Sequence, residues 1–317
     1  MGARRLLLAG ERFEVSPDDP LFPRALSLIG RPPRMLFGVG DPHALQEGLA
    51  VVGARKATPY GRGCARKFAS LAAERGIVII SGGARGCDAA AHEAALDVGG
   101  RTVVFLGGGC DRLYPAEHGR LFQRVVDTGG AVVSEHAWDV DPRPYAFRER
   151  NRLIAGLARA TLIVEAGLPS GTFSTADEAL AANRDVLVVP GSITSAHSRG
   201  ANRLIYQGAT PVVDEETFAD QLFDLFGCMR VSPCAQASAG SGSDRNAADD
   251  DALLEALSAE PLGLEELVPL ARSAFGDADA LTRLMVWLAK AQSGGLIDQY
   301  PDGRYGPSPA GAFDARR

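Results

Sequence analysis

AVVGARKATPYG, at residues 50–61, is an apolar run that ends in a glycine-rich turn, and this pattern repeats along the chain. It returns as IVIISGGARGCD at residues 77–88, TVVFLGGGCDRLYP at 102–115 and LIVEAGLPSGTFST at 162–175. In an open parallel sheet, the ligand binds beyond the carboxyl ends of the strands. Glycine turns at that edge let phosphate groups approach backbone N–H groups. The repeat therefore predicts a sheet that carries a phosphate-bearing ligand at one edge.

The apolar runs are short, rich in Val and Ile, and nearly continuous, as expected for parallel strands that are covered on both faces. Helical patterns such as CARKFASLAAERG lie between them and end in glycine, a common helix stop. Strand and helix in alternation predict an α/β fold with a doubly wound, mostly parallel sheet. The predicted strands are Leu49–Val52, Ile77–Ile80, Thr102–Leu106, Ala131–Val133, Thr161–Val164, Val186–Val189 and Pro211–Val213.

Four segments are predicted along the chain. Residues 1–48 form a lead-in that packs on the main domain, with one short strand at Met35–Val39, and residues 49–227 form that domain. Residues 228–248 are dominated by Ser, Ala and Gly, which is typical of a flexible linker. Residues 249–317 contain three helical patterns and then a hairpin pattern, which is the order of a winged helix.

The composition excludes several protein classes. The formal charge of −6 argues against a uniformly basic surface for nucleic acid, although it leaves room for a local basic site. Five cysteines without a CxxC pair fit neither a disulfide framework nor a zinc site. No apolar segment approaches the length of a membrane span. We expect a soluble cytoplasmic protein, without metal or cofactor.

The segment Pro142–Arg152, PRPYAFRERNR, holds four arginines and two aromatic residues in an otherwise acidic chain. Arginine binds phosphate oxygens and stacks on bases, and aromatic rings offer stacking surfaces. A solvated helix face with incidental charge is the alternative interpretation. Arg55 and Lys56, which follow the first glycine turn, would add positive charge at the same edge.

The loop SGTFST at residues 170–175 opens a helix and has hydroxyl side chains at four of its six positions. Such a helix start suits a phosphate group, although an ordinary N-cap is also possible.

Candidate catalytic groups are scattered along the sequence. Asp88 and His92 are four residues apart and are best explained as a hydrogen-bonded structural pair, whereas Glu165 and Glu178 flank the loop and could form a hydrolytic pair.

Taken together, these motifs resemble the DNA-processing protein A family, also called Smf. The resemblance rests on VVGARKATPYG, SGGARGCDAAAHEAAL, FLGGGCDRLYP, FRERNRLIAGLARA, VEAGLPSGTFSTA and VVPGSI, in that order across residues 49–214. It implies an extended Rossmann-like fold with a small C-terminal winged-helix-like domain. It also implies a homodimer that binds single-stranded DNA, protects incoming strands in natural transformation and helps to load the RecA recombinase, and that is not an enzyme.

The resemblance also assigns site residues. Arg55 would hold the DNA backbone together with the RNR element, and Phe147 would stack on a base. We expect Arg148, from the arginine-rich segment, to join these backbone contacts. The glycine turn after the third strand and the SGT loop would receive phosphates. The full predicted set is Arg55, Gly107, Gly108, Gly109, Phe147, Arg148, Arg150, Asn151, Arg152, Ser170, Gly171 and Thr172.

Two other functions stay open at this point. Asp177 and Glu178 stand behind the SGT loop, where the family more often has small or apolar residues. A related group of Rossmann-like enzymes uses a glutamate there to cleave the N-glycosidic bond of nucleotides, with Glu178 as the matching residue. A regulator that reads duplex DNA through its C-terminal domain is the third possibility, but the segment predicted to enter the groove carries only Arg283 and Lys290 as cations.

Overall fold

A computed structural model of the 317-residue chain describes residues 7–168, 170–227, 253, 257, 262–275, 280–293, 297–299 and 304–307. The chain divides into two compact units, residues 1–230 and 231–317. The strands of the first unit are β1 Arg12–Val15, β2 Leu36–Gly40, β3 Gly48–Val52, β4 Ile79–Ser81, β5 Thr102–Phe105, β6 Ala131–Ser134, β7 Ala158–Ile163, β8 Asp185–Val188 and β9 Thr210–Pro211. Its helices are α1 Arg24–Ser27, α2 Pro59–Ala73, α3 Cys87–Asp97, α4 Gly119–Asp127, α5 Pro144–Leu157, α6 Thr172–Ala181, α7 Arg199–Tyr206 and α8 Glu215–Phe226.

The described strands of the first unit form one nine-stranded sheet in the order β1-β2-β6-β5-β4-β3-β7-β8-β9. All pairs from β6 to β9 are parallel, whereas β1 and β2 pair antiparallel at one end. The chain runs outward from β3 to β6 and then returns to place β7 on the other side of β3. Such a reversal is where open α/β sheets bind their ligands. The predicted mostly parallel, doubly wound α/β sheet is confirmed.

Successive residues of the central strands pack on opposite faces of the sheet, because side chains alternate along a strand. In β3, Val52 packs in one core with Leu153 of α5, and Val51 packs in another with Phe68 of α2. Both faces are therefore apolar, and the strand sequences read as continuous apolar runs. This burial holds the strand ends, and the turns that follow them, in fixed positions.

Residues 7–48 supply two strands of the sheet, where the sequence predicted one. The predicted strand at Met35–Val39 is present as β2, Leu36–Gly40. The second is β1, RFEV, which lies at the sheet edge with alternating exposed and buried residues. A four-residue strand with this alternation has too weak a pattern to stand out among the surrounding proline and glycine residues.

The second unit contains α9 Leu264–Phe275, α10 Ala280–Ser293 and an antiparallel pair, β10 Ile297–Gln299 with β11 Tyr305–Pro307. Its own core includes Leu267, Leu284 and Ile297. The predicted linker at residues 228–248, most of the first predicted helix, and the predicted hairpin turn at Asp302–Gly303 lie outside the described residues. The winged-helix-like interpretation of this unit stays a prediction.

Candidate nucleic-acid interface

A cleft of about 620 Å³ opens beyond the carboxyl ends of β3, β4 and β7, at the point where the strand order reverses. Three parts of the chain form most of its wall: the turn after β3, the first two turns of α5, and the start of α6. The predicted site residues in this wall are Arg55, Phe147, Arg148, Arg150, Asn151, Ser170, Gly171 and Thr172. The glycine turn at residues 107–109 and Arg152 lie outside it.

Helix α5 directs one face into the cleft. Pro144, Phe147, Arg148, Asn151 and Ile154 all line it. Their spacing of three and four residues is that of a single helical face. The helix begins with proline at its first position, where the missing N–H costs no hydrogen bond.

Three cations at the cleft or beside it are exposed. Arg55 follows the glycine turn after β3, Lys56 is its neighbour, and Arg148 lies on the cleft face of α5. Within the described chain, none of the three forms an ion pair with a carboxylate. Their charge is therefore available to an anionic ligand.

Phe147 forms an aromatic surface whose position is set by glycine. A side-chain carbon at Gly107 would come within 2.7 Å of the Phe147 ring, so only glycine lets the ring lie there. The ring of Tyr114 lies against Phe147 with centroids 5.2 Å apart, and the Arg55 guanidinium carbon is 5.4 Å from the Phe147 centroid. Sequence reasoning missed Tyr114, although the residue belongs to the GGGCDRLYP motif.

The glycine turn at residues 107–109, predicted to receive phosphates, lies outside the cleft wall. The Gly109 N–H already donates to the carbonyl of Val140 at 2.8 Å. A side-chain carbon at Gly108 would meet the Pro142 backbone at 2.8 Å, and one at Gly109 would meet the Ala137 carbonyl at 2.1 Å. The segment at residues 137–142 thus covers the turn, and the glycines serve close packing.

Arg150 lies at the cleft wall but is only 4% exposed. Its NH1 group donates to the carbonyl of Gly82 at 2.9 Å and to that of Phe105. Burial lowers the pKa of Arg150 to about 10, against the opposing effect of Asp88. The structure therefore shows Arg150 as a brace between the ends of β4 and β5, and not as the free phosphate ligand that the sequence suggested.

Arg152 lies outside the cleft wall. It donates to both carboxylate oxygens of Glu135, at 2.8 and 2.6 Å, and to the carbonyl of Glu149 at 3.0 Å. Its side chain is 10% exposed and that of Glu135 is 18% exposed. This position does not support the predicted contact between Arg152 and a DNA backbone, since the guanidinium is already used inside the protein.

Two carboxylates of the chain itself accept backbone N–H groups at this edge of the sheet. At α2, Glu165 accepts hydrogen bonds from the Thr58 N–H at 3.0 Å and from its hydroxyl at 2.9 Å. At the turn before α3, Asp88 accepts from the N–H groups of Gly82 at 3.2 Å and Ala84 at 3.3 Å. Burial raises the pKa of Asp88.

The N-terminus of α6 differs from these two. Its N-cap is Gly171, and no side chain caps it. The Ser170 hydroxyl accepts from the Thr172 N–H at 3.2 Å and donates to the Thr172 hydroxyl at 3.0 Å. Both hydroxyl groups and the helix start face the cleft. This arrangement suits an anionic oxygen.

The residues suggested for hydrolysis lie elsewhere. Glu178 forms an ion pair with Arg31 at 3.2 Å and is not part of the cleft wall. Glu165 is buried beneath α2, where the His197 imidazole is 3.3 Å away. His92 is buried against the Thr102 hydroxyl at 2.5 Å, and burial lowers its pKa to about 3. Among the described residues, no group of three or more His, Cys, Asp or Glu side chains could hold a metal ion.

Comparison with known proteins finds relatives that are named Smf or DprA. The chain is 42% identical over 209 residues to "Protein Smf" of Escherichia coli, and 44% identical over 237 residues to the "Putative DNA processing protein DprA" of Mycobacterium tuberculosis. These matches cover 66% and 70% of this chain but only 56% and 59% of the relatives. The chain thus spans less than two thirds of the length of these curated relatives.

Two solved structures share the fold. DNA processing protein A from Streptococcus pneumoniae has a TM-score of 0.60 at 37% identity, covering 64% of this chain and 71% of that one. DNA processing protein A from Helicobacter pylori, whose structure describes a "unique single-stranded DNA binding mode", has a TM-score of 0.61 at 28% identity, covering 68% and 97%.

No helix among the described residues combines the length and the apolarity that crossing a membrane requires.

The family model described as "DNA recombination-mediator protein A" matches residues 14–223, about two thirds of the sequence. That range contains β2 to β9, the three segments that form most of the cleft wall, and the neighbouring rings of Tyr114 and Phe147. The chain belongs to the DNA recombination-mediator protein A family.

Proposed function

We propose that this chain binds single-stranded DNA, without sequence preference, in the cleft at the carboxyl ends of β3 and β7. The observation that carries the proposal is the convergence in one cleft of exposed cations, a helix N-terminus and an aromatic surface. Proteins that bind single strands combine a positive groove for the backbone with rings on which bases stack. The Helicobacter pylori relative, described by its single-stranded DNA binding mode, supports the same ligand class.

Arg55 and Arg148 supply the backbone contacts in this proposal. Both are exposed at the cleft, and no carboxylate among the described residues neutralises either one. A local pair of cations attracts phosphates even in a protein with a formal charge of −6, because the field near the cleft depends on where the charges lie. Asn151, on the same face of α5, adds an amide that can bond a phosphate or a base.

The start of α6 receives one phosphate. At the start of α2 the Glu165 carboxylate already accepts from the Thr58 N–H, and in the turn before α3 Asp88 accepts from Gly82 and Ala84, so a carboxylate already occupies both places. At α6 no carboxylate among the described residues accepts the first N–H groups, and Ser170, Gly171 and Thr172 line the cleft at the positive end of the helix. Arg150, buried beside this space with its Nε atom unpartnered in the described residues, adds positive potential to the wall.

The wider role is proposed from family membership. We propose a homodimeric, non-enzymatic protein that protects incoming strands and helps to load RecA recombinase in natural transformation. Free thiols at Cys64, Cys87 and Cys110 fit the reducing cytoplasm. Earlier onset of RecA-dependent ATP hydrolysis, on strands coated with single-strand-binding protein, would support loading, and the mass in solution tests the dimer. An unchanged onset of ATP hydrolysis would contradict the proposed role in RecA loading.

Fluorescence anisotropy with a labelled oligothymidylate tests the proposal. The Arg55→Ala/Arg148→Ala variant should bind at least tenfold more weakly, with a shallower salt dependence, because each lost phosphate contact reduces counterion release. Arg101→Ala is the matched control, since Arg101 is exposed at the opposite edge of the sheet, just before β5. Equal affinity for duplex and single strand, or an equal loss in both variants, would contradict the proposal.

A further inference from the structure

Tyr114 is an aromatic residue at the cleft that packing alone does not explain. It is 45% exposed, and its ring forms part of the cleft wall beside Phe147. Within the described residues its hydroxyl makes no hydrogen bond that would fix it in place. An exposed tyrosine ring that adjoins another ring at a cationic cleft has the chemistry of a stacking surface for bases.

We propose that Tyr114 and Phe147 together form a two-ring platform that holds two neighbouring bases of the bound strand. This inference rests on the proposed function and adds Tyr114 to its binding residues. The two rings are inclined by 51°, so the platform is bent. Bases that stack on its two halves are tilted against each other, which a duplex does not allow but a flexible single strand does.

The surroundings of the platform leave it open on the cleft side. Gly107 lies against the Phe147 ring and, because it has no side chain, lets the ring lie close to the turn. The Arg55 guanidinium lies over the Phe147 ring at 5.4 Å. Arginine stacks on bases as well as on aromatic rings, so a base that enters between Arg55 and Phe147 would move the Arg55 side chain outward and remain in contact with it.

The platform lies at one end of the cleft and the α6 start at the other. Gly107, under Phe147, follows β5, whereas the α6 loop follows β7, and β4 and β3 stand between these strands. Three strand spacings separate the two ends, about 14 Å at the usual ~4.8 Å per strand. A short oligonucleotide can therefore reach both ends of the cleft at once.

Abasic oligonucleotides test the platform. Tyr114→Leu should weaken binding of a short oligothymidylate by about 5- to 150-fold, the range expected for one stacked base. On the same oligomer with all bases removed, Tyr114→Leu and the wild type should bind alike, because no base remains to stack. Tyr114→Phe restores the ring and should recover most of the lost affinity. Tyr145→Leu is the matched control, since Tyr145 is exposed on α5 outside the cleft wall.

The outcomes separate this inference from the proposed function. If the wild type does not bind the oligothymidylate, both fail. If Phe147→Leu loses affinity for the intact oligomer while Tyr114→Leu keeps it, the strand still binds but the platform has a single ring, and this inference is overturned. An equal loss for Tyr114→Leu on intact and abasic oligomers, or no recovery in Tyr114→Phe, would also overturn it.

Discussion

Replacing Arg152 by alanine should destabilise the fold and leave the affinity of the folded protein for DNA unchanged. Arg152 makes two hydrogen bonds to Glu135, at 2.8 and 2.6 Å, and the two side chains are 10% and 18% exposed. Removing one partner of a buried ion pair costs roughly 3–5 kcal/mol, because the other charge stays behind in a poorly solvated place. Since Glu135 keeps some contact with water, we expect about 3 kcal/mol, or a roughly hundredfold change in the unfolding equilibrium.

Urea unfolding and DNA affinity, measured on the same preparations, test this prediction. Arg152→Ala should lower the urea midpoint, whereas Arg148→Ala should weaken DNA binding with a stability change within about 0.5 kcal/mol. The double variant Arg152→Met/Glu135→Leu should recover most of the lost stability, since apolar residues of similar volume can replace a buried ion pair. The reasoning is refuted if Arg152→Ala keeps the wild-type midpoint and binds DNA more weakly.

Gly107→Ala should reduce DNA binding without any change of charge, because the added carbon would lie 2.7 Å from the Phe147 ring and displace it. Anisotropy at two salt concentrations checks this: the salt slope should stay as in the wild type while affinity falls, and a changed slope would contradict the prediction. Stability should also depend on His92 in mild acid. Because burial lowers its folded-state pKa to about 3, the unfolded chain binds a proton that the folded chain excludes, so stability falls as the pH drops from about 6.5 towards 3. His92→Gln should flatten this part of the curve in urea unfolding, and an unchanged slope would show that other groups cause it.

The fold was predictable because its signal is local and repeated. Each parallel strand is buried on both faces and followed by a glycine turn, so the apolar runs mark the sheet directly. Strand β1 was missed because its pairing with β2 depends on contacts across the sheet, such as Phe13 against Gly38, rather than on its own four residues.

The candidate site was predictable in position but only partly in composition. The arginines at 148, 150 and 152 are close in sequence, and the helix turn of about 100° per residue separates only Arg150 from the face of Arg148. Arg152 lies one turn after Arg148, and its pairing with Glu135 is what keeps it from the cleft. Arg148 shares the cleft face with Phe147 and Asn151 at helical spacing, which the sequence already contains. The burial of Arg150 depends on Gly82 and Phe105, which lie far away in the chain. Tyr114 was missed because its place at the cleft depends on its contact with Phe147, which lies in a different part of the sequence.

The carboxylate of Glu165 has a consequence for small nucleotides. In dinucleotide-binding folds, the diphosphate rests on the helix that follows the first strand. Here that helix is α2, and its entrance is already filled by the negative oxygens of Glu165, which Gly61 accommodates by lacking a side chain. A diphosphate arriving there meets repulsion instead of free amides. The strand–turn–helix order is therefore that of a coenzyme-binding domain, whereas the carboxylate at the helix start opposes the diphosphate of such a coenzyme.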